Sequence, residues 1–525
     1  MILIGTTLGI GLFSEYNIAY KRGKPGSFKI ALVYPSTYAA SISNLFTHIA
    51  YYYLTQHDDI VVDRFTLDNP TKGAITGIPL KDFDVALISI GYELDLLYYI
   101  RILIKNFISP RKRDKRPILI AGGPPIIANP EPALDLFDGV FIGEGEALLE
   151  QLIRNIDVID KPRQFTDNLE LYHKDYPHPS IKKYFIRNLD NAFIPIHQIQ
   201  SEKYEPIYGR GYIIEISRGC KWLCGFCMES HVFHPFRVRS LNIIERSMKL
   251  GIEANRVNRI IFYSLSFFDH PHSDKILKKL VEENIQFSLP SIRYNTLNKN
   301  RVDLIREGGQ KTITIAPETL SERIGCELGK CIMKDHLNNL CSYILNSGLN
   351  LKLYFILGLP GDSPETDKLI AEFVKQLIEH SEIQRPNQIR LSINPLIPKP
   401  HTPTQYIPLI RKDAYLRRIK HLKKLRSIRV RLEYLDWRWA FAQAIISLGG
   451  RKTGELIIRW ATEGTGLGAL RKAIKELNYS TDYVFKPKEI DDPLPWDHVK
   501  LGTENIVRAR GRKLLDLYLD QSETN

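Results

Sequence analysis

From Gly211 to about Ile397 the chain alternates short apolar runs with longer segments of helical period, and no other feature restricts its fold as much. The runs are YIIEIS (212–217), RIIFYSL (259–265), IQFSLPSI (285–292), TITIAP (312–317), LKLYFILGL (351–359) and IRLSINPLI (389–397). Stretches such as SDKILKKLVEEN and SPETDKLIAEFVKQLIEH separate them. Strands that alternate with amphipathic helices form a parallel sheet, because the crossover needs an element long enough to return the chain. Six such units predict a partial (β/α)6 barrel over residues 209–408, with functional loops at the carboxyl ends of its strands.

A second α/β series precedes it. FKIALVY (28–34), IVVDRF, DVALISI (84–90), PILIAGG (117–123) and GVFIGEG (139–145) read as buried strands, with helical segments such as LDLLYYIRILIKNF between them. This predicts a doubly wound, flavodoxin-like domain over residues 1–160. Gly122, Gly123, Gly143 and Gly145 close its strands and allow tight turns at the edge where such sheets bind ligands. Residues 161–208, with His173, Pro177, His178, Pro179 and Pro195, read as a connector. Residues 409–525 read as mainly α-helical and basic, with one short strand in RVRLEYL.

Hydrophobic content of 44% and charged content of 25% suit a soluble globular chain. The opening MILIGTTLGIGLF is too short to cross a bilayer and has no basic flank, so a cytosolic protein without a membrane span is expected. The formal net charge is +13, concentrated in RKRDKR (111–116), in 411–431 and in 508–513. That balance favours anionic partners. RNA is one, with Tyr415, Trp437 and Trp439 as stacking residues near the basic stretch; solvated helix faces are the other reading.

The six cysteines point to the chemistry. None precedes Cys220, and EISRGCKWLCGFCMES places Cys220-x3-Cys224-x2-Cys227 directly after the first barrel strand. Thiolates are soft ligands suited to iron–sulfur clusters, and three ligands for four irons leave one iron open for chemistry. A zinc site completed by His231 and His234 is the structural alternative. Cys326, Cys331 and Cys341 read as small apolar core residues, or as ligands of an auxiliary cluster; a disulfide framework is not expected.

CxxxCxxC at this position, with Phe226 before the last cysteine, resembles the radical S-adenosylmethionine (AdoMet) superfamily. The resemblance implies a [4Fe–4S] cluster on Cys220, Cys224 and Cys227. It implies AdoMet chelated to the open iron, reductive cleavage to a 5′-deoxyadenosyl radical, and hydrogen abstraction from a substrate. An electron donor such as ferredoxin or flavodoxin is implied with it. It places Asp269 near the AdoMet ammonium, although the glycine pair usual there is missing from SLSFFDH. Ser291 and Arg293 fall at the mouth of the third strand. Glu318 and Ser321 fall at the ribose or methionyl group, with Leu320 where a glycine is usual.

LVYPSTY, IAGGPPIIANPEP, FIGEGE, APETLSER and PKPHTP extend the likeness across residues 12–465. They are similar to a radical AdoMet family with an N-terminal cobalamin-binding-type domain and no established substrate. The loop YPSTYAASI lacks the Asp and His of the DxHxxG cobalamin signature. A histidine-free cobalamin site, with methyl transfer as its chemistry, and a scaffold that binds no corrin both stay open. Methylthiolation is not expected, because no cysteine before Cys220 can hold a second cluster. The reading from a different class is an iron–sulfur binding or sensing module that never cleaves AdoMet.

Overall fold

The computed structural model describes residues 9–19, 23–111, 116–173 and 180–523. Most of the N-terminal apolar run, residues 112–115 of the first basic cluster, and Pro177, His178 and Pro179 lie outside the described residues.

Five parallel strands build the N-terminal sheet: β1 (Phe28–Val33), β2 (Ile60–Phe65), β3 (Val85–Ser89), β4 (Ile118–Gly122) and β5 (Gly139–Val140). Their spatial order is β2-β1-β3-β4-β5, the flavodoxin-like arrangement. The runs are apolar almost throughout because helices cover both faces, among them Leu45–Leu54 and Asp95–Lys105. The topological switch point, between the carboxyl ends of β1 and β3, opens beside Tyr34.

The barrel strands follow in chain order: β6 (Tyr212–Glu215), β7 (Arg259–Tyr263), β8 (Gln286–Ser288), β9 (Thr312–Glu318), β10 (Asn350–Leu357) and β11 (Ile389–Pro395). All neighbours are parallel, and a single bridge, Ile292 to Ile315, links β8's end to β9. A further strand, β12 (Arg431–Tyr434), pairs with β11 and makes seven rather than six. The boundary expected at residue 408 therefore cuts through the barrel.

The C-terminal region is not a separate unit either. Leu456, Ile457 and Trp460 are buried in one core with Leu96, Ile100 and Leu103 of the N-terminal domain. Asn129 donates to the carbonyls of Ser447 (3.0 Å) and Gly449 (2.8 Å) across that seam. The connector is also laced in. Gln200–Ser201 pairs with Glu15–Tyr16, and Ile181–Lys182 with Val499–Lys500.

One basic residue of the stretch 411–431 is internal, whereas Arg411, Lys412, Arg417, Lys420, Lys423 and Lys424 are exposed. Arg418 is buried between Asp362 and Asp367, at 2.7 Å from each. Tyr415 is fully buried and donates to the Leu435 carbonyl at 2.9 Å. Trp437 stacks on Phe441 and Phe485, and Trp439 on Trp460. The aromatic spacing serves packing. No helix among the described residues is long and apolar enough to cross a membrane.

One buried histidine gives the fold a pH dependence. His48 places Nε2 2.9 Å from the Ile42 carbonyl, and its Nδ1 accepts from the Ile199 amide at 3.2 Å. That arrangement fixes a neutral ring, and burial lowers its pKa from 6.5 to about 4, with Arg64 nearby adding to the shift. The unfolded chain binds the proton more readily, so this stabilisation is complete above pH 6.5 and is lost as pH falls through about 4. The expected loss is about 3 kcal/mol at full protonation. Urea midpoints at pH 7 and pH 4.5 measure it, and His48→Gln should show the smaller drop.

Candidate active site

The cysteine loop starts where β6 ends. Gly219 takes φ +81°, and a side chain there would meet the Phe233 and Pro235 carbonyls at 2.5 and 2.7 Å. Only glycine fits this turn. The loop is then tied to distant elements: the Gly225 amide donates to Leu328 (2.9 Å), and Thr404 donates to Gly225 (3.0 Å). Arg510 of the last helix, Glu504–Glu523, donates to the Leu223 carbonyl (2.8 Å).

Cys220, Cys224 and Cys227 line one cavity of about 550 Å³, together with Phe226, Ser291, Arg293 and Glu318. Burial pushes the Cys220 thiol up to about 11 and Cys227 up to about 12. As bare thiols they stay protonated at neutral pH, and a bound metal centre is what would deprotonate them. Among the described residues no three His, Cys, Asp or Glu side chains gather to hold a single metal ion. His231 and His234 are not among the residues that line this cavity, so the structure does not bring the zinc alternative's histidines to the thiols. His231 Nδ1 lies 3.0 Å from Thr503 Oγ1.

Arg293 and Glu318 are placed by specific contacts. The Arg293 guanidinium lies 3.9 Å over the Trp222 ring, reaches Cys224 Sγ at 3.4 Å and donates to the Gly329 carbonyl at 2.8 Å. Glu318 sits at φ +69°, after a register shift in β9, and accepts from Lys330 Nζ at 2.9 Å. A non-glycine residue in the left-handed region is strained, and the Lys330 bond is one of the contacts that hold it. Lys330 also lies 5.7 Å from the Phe226 ring centroid.

Two residues expected at this site are not brought to it. Asp269 is buried and spent on the cysteine loop, accepting from Trp222 Nε1 (2.6 Å) and pairing with Lys221 (2.9 Å). Ser321 caps the helix Glu322–Glu327, accepting from the Ile324 amide. Conversely, Lys330, Tyr354, Asn394, Lys399 and Gln443 line the cavity without having stood out in the sequence. Lys399 is held by Glu93, which also accepts from Gln443 at 2.8 Å. These contacts join residues hundreds of positions apart, and no local pattern announces them.

Cys326 and Cys331 are neither core residues nor cluster ligands here. They form a disulfide across five positions and are exposed, whereas Cys341 is fully buried in the barrel core. A Cys326→Ser/Cys331→Ser double variant is expected to keep about four irons per chain after reconstitution. A loss of iron in that variant would make them ligands after all.

A buried network behind the cysteine loop couples it to the N-terminal domain. Arg218 donates to Glu215 (2.8 Å), Glu144 (2.9 Å) and Glu146 (2.6 Å). Arg237 also pairs with Glu144 at 2.7 Å, and Arg239 lies 3.4 Å from Glu215. Burial raises the Glu144 pKa, but the Arg237 hydrogen bonds and the two guanidinium charges outweigh it and hold the group below its usual value.

Family models match along this architecture. Residues 47–174 match the model for the N-terminal region of radical SAM proteins, and residues 214–374 match the radical SAM superfamily model. The chain is 29% identical over 448 residues to the uncharacterised protein MJ0966 of Methanocaldococcus jannaschii, covering 84% of this chain and 94% of that one. It is 25% identical over 336 residues to the uncharacterised methyltransferase PH0819 of Pyrococcus horikoshii, covering 61% and 70%. Among solved structures, the radical AdoMet methyltransferase TsrM of Kitasatospora setae aligns with a TM-score of 0.48 and 12% identity, over 70% of this chain and 73% of that one. The cobalamin-dependent AdoMet radical enzyme OxsB aligns at 0.40 and 13%, over 95% and 80%. With both models matched in order along the chain, and the cysteine loop at the carboxyl edge of a parallel barrel, the protein belongs to the radical SAM superfamily, whose enzymes use a [4Fe–4S] cluster and AdoMet.

Proposed function

We propose that Cys220, Cys224 and Cys227 hold the [4Fe–4S] cluster and that the rest of the same cavity wall seats AdoMet. The observation that carries this reading is the convergence of the three thiols with Phe226, Arg293 and Glu318 on one cavity of about 550 Å³. A cluster held there would supply the electron for reductive cleavage of AdoMet to methionine and a 5′-deoxyadenosyl radical able to take a hydrogen atom from the substrate.

The chain's own residues prepare that event. Trp222 and Lys221, anchored on Asp269, hold the cysteine loop in place. Arg293 donates toward Cys224 Sγ, and hydrogen bonds to such sulfurs raise a cluster's potential. The Glu318–Lys330 pair sets a carboxylate and an ammonium side by side on the wall, which matches the amino-acid end of AdoMet. Phe226 offers an apolar face, and Ser291 a hydroxyl. Asp269 and Ser321 take no part in holding AdoMet in this reading.

Turnover needs an external one-electron donor such as ferredoxin or flavodoxin. In the loop after β1, Thr37 caps a helix, Tyr38 donates to Glu15 at 2.6 Å, and the nearby His48 has both ring nitrogens occupied, by the Ile42 carbonyl and the Ile199 amide. None of them is left to ligate cobalt.

Electron paramagnetic resonance of the dithionite-reduced, reconstituted protein tests the site. AdoMet binding to an open iron should change the cluster signal. A signal that saturating AdoMet leaves unaltered removes the proposal.

A further inference from the structure

The cluster cavity shares Leu265, Ser291 and Tyr354 with a second chamber of about 680 Å³. This chamber is the barrel lumen, extended sideways to the switch point of the N-terminal sheet. Parallel barrels ordinarily fill their lumen with bulky aliphatic side chains. Here Tyr212, Phe287, Ile313 and Phe355 of the strands belong to the barrel's main hydrophobic core, together with residues of the helices that cover it, and among the large apolar residues of the neighbouring strands Ile261, Phe262 and Leu289 reach the chamber wall. Small hydroxyl residues, Ser217, Ser264, Ser288 and Thr314, line the chamber and leave it hollow.

The chamber wall has two further properties. Four tyrosines contribute to it: Tyr34 beyond β1, Tyr208 from the connector, Tyr263 from β7 and Tyr354 from β10. Tyr208 meets Tyr263 edge to face, with centroids 6.2 Å apart. Burial pushes Tyr34 up to about 12, so it stays a neutral phenol near pH 7. The charged groups in the wall are Glu215 and Arg218, and both are committed to the buried network with Glu144, Glu146 and Arg239. Beyond the half-exposed Ile207 and Tyr208 at its rim, a phosphate or carboxylate in the chamber would shed hydration without gaining an uncommitted cationic partner, and an unpaired buried charge is costly. A volume of this size suits a small molecule, and tyrosine walls suit flat rings with polar substituents.

We infer that the lumen chamber is the substrate site of this enzyme, and that it takes an uncharged, partly aromatic molecule bearing hydroxyl or carbonyl groups. The inference rests on the cluster reading above, because the wall shared through Ser291 and Tyr354 is what brings such a molecule beside the adenosyl carbon. It sets aside nucleic acid and phosphorylated metabolites as occupants of the lumen.

Equilibrium dialysis of the reconstituted holoenzyme against 2-naphthol and 2-naphthyl phosphate tests it, since the two probes share a ring system and differ in charge. 2-Naphthol should bind about tenfold tighter or more, the difference reflecting the uncompensated phosphate charge. Thr314→Trp, which fills the lumen, should weaken 2-naphthol about tenfold or more while iron and sulfide content stay at the wild-type level. Ser264→Tyr, a smaller plug on another strand, should act in the same direction. The inference is overturned if the phosphate binds equally or better, if neither probe binds, or if both plugs leave 2-naphthol binding intact. Dialysis needs no turnover, so a failure of the cluster reading would show separately, as missing iron in the wild type.

Discussion

Changing Cys224 to alanine is expected to abolish cluster assembly and to lower 5′-deoxyadenosine release by roughly a thousandfold or more. Three thiolates serve four irons, so no ligand is spare, and the side chains nearest this sulfur do not replace it. Arg293, at 3.4 Å, is a cation. Cys220 and Cys227 are already committed to the same wall. The same outcome is expected for Cys220→Ala and Cys227→Ala. Iron and sulfide analysis, visible absorption and product quantification read it directly. Ser321→Ala is the contrast, because that hydroxyl caps a helix. It should cost about 1 kcal/mol of stability and leave the iron in place. A Cys224→Ala protein that retains its iron and cleaves AdoMet would overturn the ligand assignment.

The second large effect is expected at Arg218. This guanidinium is buried against three carboxylates, those of Glu144, Glu146 and Glu215. Its attraction to them outweighs the cost of burying it and holds its pKa well above the usual arginine range. Arg218→Met leaves those carboxylates short of a partner in the interior, a change that destabilises by about 3–5 kcal/mol. The denaturant midpoint should fall accordingly. Iron loading should fall with it, because Cys220 lies two residues further along the same turn. Arg438→Met, at an exposed pair with Asp436, should leave the midpoint where it is. An unchanged midpoint for Arg218→Met would mean that the network contributes little to holding the domains together.

The two parallel sheets were legible because most strands are short runs rich in Ile, Leu, Val and Phe, several closed by glycine or proline, and helical periods separate the runs. Strand β12 was visible as a strand but not as part of the barrel. Arg431–Tyr434 is four residues long, it follows a charged helix, and its pairing with Ile389–Pro395 is settled by packing that no local pattern carries. The cysteine loop was legible because ligand spacing is local. Phe226, Ser291, Arg293 and Glu318 also reach the cavity, since they lie in the loop or just after strand ends, where a parallel barrel gathers its side chains.

Asp269 and Ser321 failed for a common reason. A strand-end carboxylate and a strand-end hydroxyl look the same in sequence whether they face a ligand or satisfy the protein's own donors, here Trp222 and Lys221 in one case and the Ile324 amide in the other. Within the basic stretch one residue behaves the same way: Arg418 answers Asp362 and Asp367, some fifty residues upstream, while its basic neighbours stay exposed. Lys330 and Gln443 entered the cavity without a signal, because their placement depends on how distant segments fold back on the barrel.

The measurement that bears most directly on the central claim is anaerobic. The cluster is reconstituted, AdoMet and dithionite are added, and 5′-deoxyadenosine is quantified for the wild type and for Cys224→Ala. Release by the wild type, absent from the variant, is the predicted result. A wild-type protein that binds neither iron nor sulfide and releases no 5′-deoxyadenosine would contradict the account at its foundation.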